Sequence, residues 1–178
     1  LQHEKSFHDK KAVAAYLKKK EEWVVEFCGR HNYVHDREIY ITYKGCGEDD
    51  TWARLDFVLY KEDHIIILSV DECQHKHIEV LCEVARMSKV ICSIRQSGDM
   101  RRVLWLRFNP DSFTVDGETR KIPMKAREKT LVTCIDNSGT MLEDIDSVAI
   151  YYLYYDCFSS NQGLVAEVTI DPDYSREW

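Results

Sequence analysis

The chain has 178 residues, enough for one domain with a real core and barely enough for two. Hydrophobic residues make up 44% and charged residues 31%, no apolar run approaches the roughly 20 residues of a membrane span, and the start LQHEKSFHDKK lacks the apolar segment of a signal peptide and an initiator Met, as expected of a fragment or a processed chain. A net charge of −7 weighs against a strong sequence-independent grip on nucleic acid, although metal-binding carboxylates also lower the net charge of acidic nucleases.

In chain order, Ser6-Phe-His-Asp9 has the spacing of a capping box. Val13, Leu17, Val24, Phe27 and Cys28 then recur at helical intervals, and Gly29 suits a C-terminal cap. Extended pieces at Glu38–Tyr43 precede a loop at Lys44–Asp50. Trp52–Tyr60 reads as a strand, Lys61–His64 as a tight turn, and His64–Asp71 as a second strand, apolar on both faces and therefore central. Val80, Val84, Met87, Ile91 and Ile94 mark a helix over Ile78–Arg95, ended by Gly98. Arg102–Phe108 is another strand, stopped by Asn109-Pro110-Asp111 because Pro cannot donate to a ladder. A helix follows from Met124 to about Met141, then strands at Val148–Asp156 and Leu164–Ile170. The order predicts an α/β fold, a mixed central β-sheet flanked by helices, in a single domain over 1–178.

Seven cysteines, an odd number with no CxxC pair and several in apolar contexts, read as free thiols in a reducing compartment. Cys28, His31, His35 and Cys46, with Cys73 as a further thiol, are the candidates for a zinc- or thiol-based site, at a spacing that matches no standard pattern. Trp23, Trp52, Trp105 and the Tyr151–Tyr155 run are core residues first and base-stacking residues second.

A two-residue turn at Glu62-Asp63 sets Asp56 opposite Ser69 and Arg54 opposite Asp71 on one sheet face, with opposed Cβ atoms about 5 Å apart. Asp56 and Asp71 then converge, and either they repel or a divalent cation such as Mg²⁺ lies between them. The plainer alternative is an Arg54–Asp71 ion pair with Asp56 half exposed. Gln74, His75 and Lys76 crowd the strand end, and Glu83 and Arg86 lie on one flank of the following helix. Arg107, near the end of a central strand, requires an acidic or phosphate partner if buried.

Together, Arg54-Leu-Asp56-Phe-Val, Ile-Leu-Ser69-Val-Asp71-Glu-Cys-Gln74-His75, Glu83-x-x-Arg86 and Leu106-Arg107-Phe108-Asn109-Pro110-Asp111 resemble the PD-(D/E)XK nuclease superfamily. The pattern is closest to the very-short-patch-repair and homing-type branch, and is similar to uncharacterised domains of large DNA viruses and algae. The resemblance covers about residues 52–135 and implies a restriction-endonuclease-like core there. An N-terminal helix and extended segment (1–51) precede it and C-terminal strands (136–178) follow. It implies an Mg²⁺-dependent DNA endonuclease, with Mn²⁺ as a substitute ion, in the nucleus, the cytoplasm or associated with a virus. The expected setting is away from membranes, as a homodimer or within a larger polypeptide. Asp56 and Asp71 would hold the metal, with His75, Glu83 and Lys76 completing the catalytic set and Arg86, Arg107 and Gln74 binding phosphate. Leu55 stands where relatives have Pro, and Ser69 where most have Glu, which removes a charge from the site. Three explanations stay open: a site that manages without Glu, an introduced change, or a catalytically degenerate domain that binds nucleic acid or acts as a scaffold.

Overall fold

Ile65-Ile66-Ile67-Leu68 offers water no polar side chain, and these residues form the centre of the sheet. In the computed structural model, which describes residues 15, 18–44, 50–76, 78–145, 147–156 and 168–170, all of β3 (His64–Val70) is buried. It lies between β2 (Asp50–Tyr60) and β4 (Arg102–Phe108) in a six-stranded mixed sheet. The other strands are β1 (Asp36–Lys44) on the outer side of β2, then β7 (Val148–Leu153) and β8 (Val168–Ile170) beyond β4. β1, β2 and β3 form an antiparallel meander, β3, β4 and β7 run parallel, and β8 returns antiparallel. Helix α2 (Val80–Gln96) makes the crossover that the parallel β3–β4 pair requires. The expected α/β class and mixed sheet are therefore present.

The structure divides into two compact units, Leu1–Tyr33 and Val34–Trp178. In the first, a helix α1 over 18–30 buries Val24, Phe27 and Cys28, and Trp23 stacks on Phe27 at 5.7 Å. Its end is not capped at Gly29. Asn32 takes the left-handed conformation (φ 55°), with Tyr33 N–H donating to Cys28 O and Asn32 N–H to Gly29 O, a Schellman pattern shifted three residues on. The Ser6–Asp9 box, Val13, Leu17, the loop over 45–49 and most of the strand expected at Leu164–Ile170 lie outside the described residues.

In the second unit, Met87, Val90 and Ile91 of α2 pack with Ile65, Ile67, Val103, Trp105, Ile150 and Tyr152 on one face of the sheet. The alternate side chains Ile66, Leu68, Leu104 and Leu106 are buried on the other face. His64 shares that second face and bonds Ser138, which places α3 (Met124–Asp136) and the short α4 (Ser138–Met141) against it. Burying side chains such as these is worth about 1.5–3 kcal/mol each. β5 (Phe113–Val115) and β6 (Glu118–Arg120) form a separate hairpin that the chain-order reading missed. Its signal was Asp116-Gly117, whose positive φ angles (50° and 81°) suit the tight turn that Asp-Gly favours.

The β2–β3 turn falls at Glu62-Asp63 as expected, and Phe57↔Leu68, Val58↔Ile67, Leu59↔Ile66 and Tyr60↔Ile65 follow the predicted register. The ladder stops there. Glu38 in β1 has φ 50°, and Ala53, Leu55 and Val58 all join the same core cluster. An unbroken alternation would put Val58 on the opposite face from Ala53 and Leu55. The period-two pattern is therefore interrupted between Leu55 and Val58, and it cannot be carried through to Arg54.

Candidate functional site

β3 and β4 run parallel with Ser69 level with Arg107, so the ends of both strands open on the same edge of the core. Asp71 follows β3 directly and is fully buried, and so is Arg107. Arg107 Nε and the Tyr155 hydroxyl both donate to Asp71 Oδ2 at 2.5 Å. Arg107 Nη2 donates to Glu83 Oε1 at 2.7 Å, and its guanidinium lies over the Tyr152 ring. His75 Nδ1 lies 2.6 Å from the same Glu83 oxygen and 3.4 Å from Asp71 Oδ1. Nδ1 therefore carries a proton for Glu83, and the 3.3 Å approach of Arg107 Nη2 to that nitrogen is a contact between two donors. Two carboxylates and one guanidinium thus share the enclosure with the imidazole ring.

The electrostatics follow from that enclosure. Burial alone would raise the Asp71 carboxyl, but Arg107, His75 and Tyr155 outweigh it and hold the group below its usual range. Glu83 is likewise lowered, by His75 and Arg107 against its burial. Burial would lower His75, yet Glu83 and Asp71 win and raise it. Arg107 is raised well above its ordinary value because Asp71, Tyr155 and Glu83 overcome its desolvation.

The turn after β3 is left-handed. Cys73, Gln74 and His75 all have φ between 50° and 58°, and non-glycine residues adopt this conformation at about 1–2 kcal/mol each. Neighbouring loops hold it. Gln74 forms a two-way pair with Asp156, its Nε2 donating to Asp156 Oδ1 at 3.0 Å and its Oε1 accepting from Asp156 N–H at 2.7 Å. Lys76 Nζ lies 2.5 Å from Asp156 Oδ2. Cys73 N–H donates to Asp111 Oδ2 at 2.9 Å. Asp111 is held in turn by Asn109 and by buried Arg127, which donates to the carbonyls of Asn109, Asp111 and Ile122 and stacks on Tyr154. The Asn109-Pro110-Asp111 segment thus braces the turn that carries His75.

Asp71, His75, Glu83 and Arg107 are brought together, with Tyr155 as a member that sequence reasoning missed. Gln74 and Lys76 lie beside them, directed to Asp156. Asp56 is half-buried; its Oδ2 accepts from Val70 N–H at 2.9 Å, in place of a ladder carbonyl, and its Oδ1 lies 3.5 Å from Arg54. Arg54 reaches Glu38 and Asp56, while Arg107 takes the place beside Asp71 that an Arg54 ion pair would have filled. Ser69 is buried and accepts from Trp105 Nε1 at 3.0 Å. Arg86 is partly buried and makes no hydrogen bond or ion pair among the described residues. The Tyr152, Tyr154 and Tyr155 side chains and Trp105 are core; Trp52 is exposed.

An Mg²⁺ shared by Asp56 and Asp71 does not fit these residues as they stand. One Asp71 oxygen already faces a guanidinium and a phenol, and both Asp56 oxygens face donors. Of these four carboxylate oxygens, Asp71 Oδ1 is the one that is buried without a hydrogen bond. Among the described residues no group of three or more His, Cys, Asp or Glu side chains is disposed to hold a metal ion. Cys28 is a buried thiol pushed up to about 11 by desolvation, Cys73 is raised by burial and by Asp111, and Cys46 lies outside the described residues. No family model, curated protein or solved structure matches the chain. No helix among the described residues is long and apolar enough to cross a membrane.

Proposed function

We propose that this chain is a nuclease-like domain of the PD-(D/E)XK type whose catalytic centre has become a closed ion network, and that it binds nucleic acid or acts as a scaffold rather than cleaving. The observation that carries this reading is Asp71, which has no exposed surface and whose Oδ2 is held by Arg107 and Tyr155. A metal-dependent phosphodiesterase needs carboxylates that meet a hydrated cation and a substrate phosphate. Ser69 adds to the argument, since its neutral hydroxyl is bonded to Trp105 where most relatives supply a charge. The mixed sheet, with the motif residues gathered at the ends of β3 and β4, supports the restriction-endonuclease-like core. Arg86 is the cation of the motif left available to a phosphate. DNA is the first partner to test, and the free thiols of Cys28, Cys73, Cys82, Cys92 and Cys134 support a reducing intracellular compartment.

Two measurements test the reading. Supercoiled plasmid incubated with the protein and Mg²⁺ or Mn²⁺ stays intact, and fluorescence anisotropy with DNA and RNA oligonucleotides detects any binding as Arg86-dependent. Metal-dependent nicking that disappears in Asp71→Ala overturns it.

A second reading, an Mg²⁺-dependent DNA endonuclease that also accepts Mn²⁺, is favoured by one observation. Asp71 Oδ1 is a buried carboxylate oxygen without a hydrogen bond, at the strand end where the resemblance expects a metal ligand. On this reading the unaltered protein nicks plasmid, and Ser69→Glu increases both metal affinity and nicking.

A further inference from the structure

Among the described residues, the backbone of Ile39–Thr42 makes no hydrogen bond beyond the β1–β2 ladder, and β1 is the outermost strand on its side of the sheet. Alternate residues of a strand turn their N–H and C=O groups to opposite edges, so part of this backbone is presented outward, a template for another strand. Glu38, with its positive φ, ends the regular stretch on that side. On one face Ile39, Ile41 and Tyr43 are only partly buried against the core cluster. Beside them opens a cavity of about 360 Å³ lined by Ile39, Ile41, Leu55, Val58 and Ile94, among others. On the other face Tyr40 and Trp52 are each 60% exposed with ring centroids 5.2 Å apart, and Thr42 is exposed as well.

We infer that this edge pairs with the same edge of a second copy of the chain, antiparallel, with the two-fold axis at Ile41. The five residues Ile39-Tyr-Ile-Thr-Tyr43 are complementary to themselves under that reversal. Ile41 meets Ile41, and Ile39 meets Tyr43, giving an unbroken apolar row on the face with the cavity. On the opposite face Tyr40 meets Thr42, flanked by Trp52 of each copy. No charged residue lies within the paired stretch. An isologous contact of this kind satisfies the open backbone groups and covers the exposed aromatic pair in one step. Because each chain carries −7, added salt screens the repulsion between copies and tightens the dimer.

Sedimentation velocity across a concentration series reads the association, with circular dichroism to confirm folding. Tyr40 and Thr42 are exposed, so charges there leave the single chain intact. In Tyr40→Glu/Thr42→Glu the pairing opposes two like-charge pairs, and the dimer weakens about tenfold or more. In Tyr40→Lys/Thr42→Glu the same positions attract, and the dimer is retained or tightened. A wild-type chain that stays monomeric at its highest soluble concentration overturns the inference. Equal association of the two double variants overturns it as well, because the interface would then lie elsewhere.

Discussion

The two ends of the β3–β4 pair carry the same kinds of side chain in opposite settings. At one end Asp71, His75, Glu83 and Arg107 are enclosed, and Arg107 and Asp71 have no exposure at all. At the other, Asp63 Oδ1 lies 2.7 Å from His64 Nδ1, His64 Nε2 lies 2.8 Å from the Ser138 hydroxyl, and Arg102 bridges Asp63 at 2.6 Å, but the Asp63 side chain is 60% exposed. The difference is solvent. An ion pair that water can reach contributes little, because water screens it and solvates its halves equally well when apart. Charges sealed away from water depend on one another, and losing one strands the rest.

Substitution can break that comparison, and the largest effect belongs to the enclosed end. Arg107→Met leaves Asp71 and Glu83 buried beside a single imidazole and costs about 3–5 kcal/mol in urea unfolding. Arg102→Met at the open end costs under about 1 kcal/mol. Equal losses would erase the distinction.

The next effect is on pH dependence. Asp71 and Glu83 are lowered in the folded chain, so their contribution is complete above the unfolded carboxyl values of about 4 and is lost as pH falls through the folded ones. His75 is raised, so its contribution is complete below the unfolded value of about 6.5 and is lost as pH rises through the folded one. Thermal melts should therefore be highest between these limits, and His75→Gln should flatten the alkaline limb and weaken, without abolishing, the acid limb, because Arg107 still holds both carboxyls down. An unchanged alkaline limb would remove His75 from the network.

Smaller changes sharpen the contrast. Ser138→Ala takes one hydrogen-bond partner from buried His64 and costs about 1 kcal/mol by denaturant titration. Lys76→Ala removes an exposed pair with Asp156 and costs less than about 0.5 kcal/mol, although Lys76 lies in the motif.

Much of this frame was legible in the residues. The Ile65–Leu68 run announced a central strand, and Arg102–Phe108 matched its strand end to end, because apolar runs bounded by turn residues leave few other solutions. The Glu62-Asp63 turn fixed the hairpin register correctly. The failure lay one step further. Period-two arithmetic assumes an unbroken strand, and the interruption between Leu55 and Val58, opposite the positive φ of Glu38, is a backbone event that no side-chain pattern announces. Arg107 reads as an arginine in need of an acidic or phosphate partner, and the resemblance assigns it to phosphate; that it pairs with Asp71 and Glu83 instead depends on how α2 packs. Tyr155 and Asp156 were out of reach for a simpler reason: they come to the site from more than eighty residues away in sequence, as the 84-residue separation of Asp71 and Tyr155 illustrates.

The central claim is that Asp71 is committed to Arg107 and Tyr155 and not to a metal ion. Isothermal titration with Mn²⁺, on the unaltered protein and on Asp71→Asn, tests it most directly. The account predicts the same weak, non-stoichiometric heat from both proteins. Stoichiometric binding by the unaltered chain that vanishes in folded Asp71→Asn would contradict it.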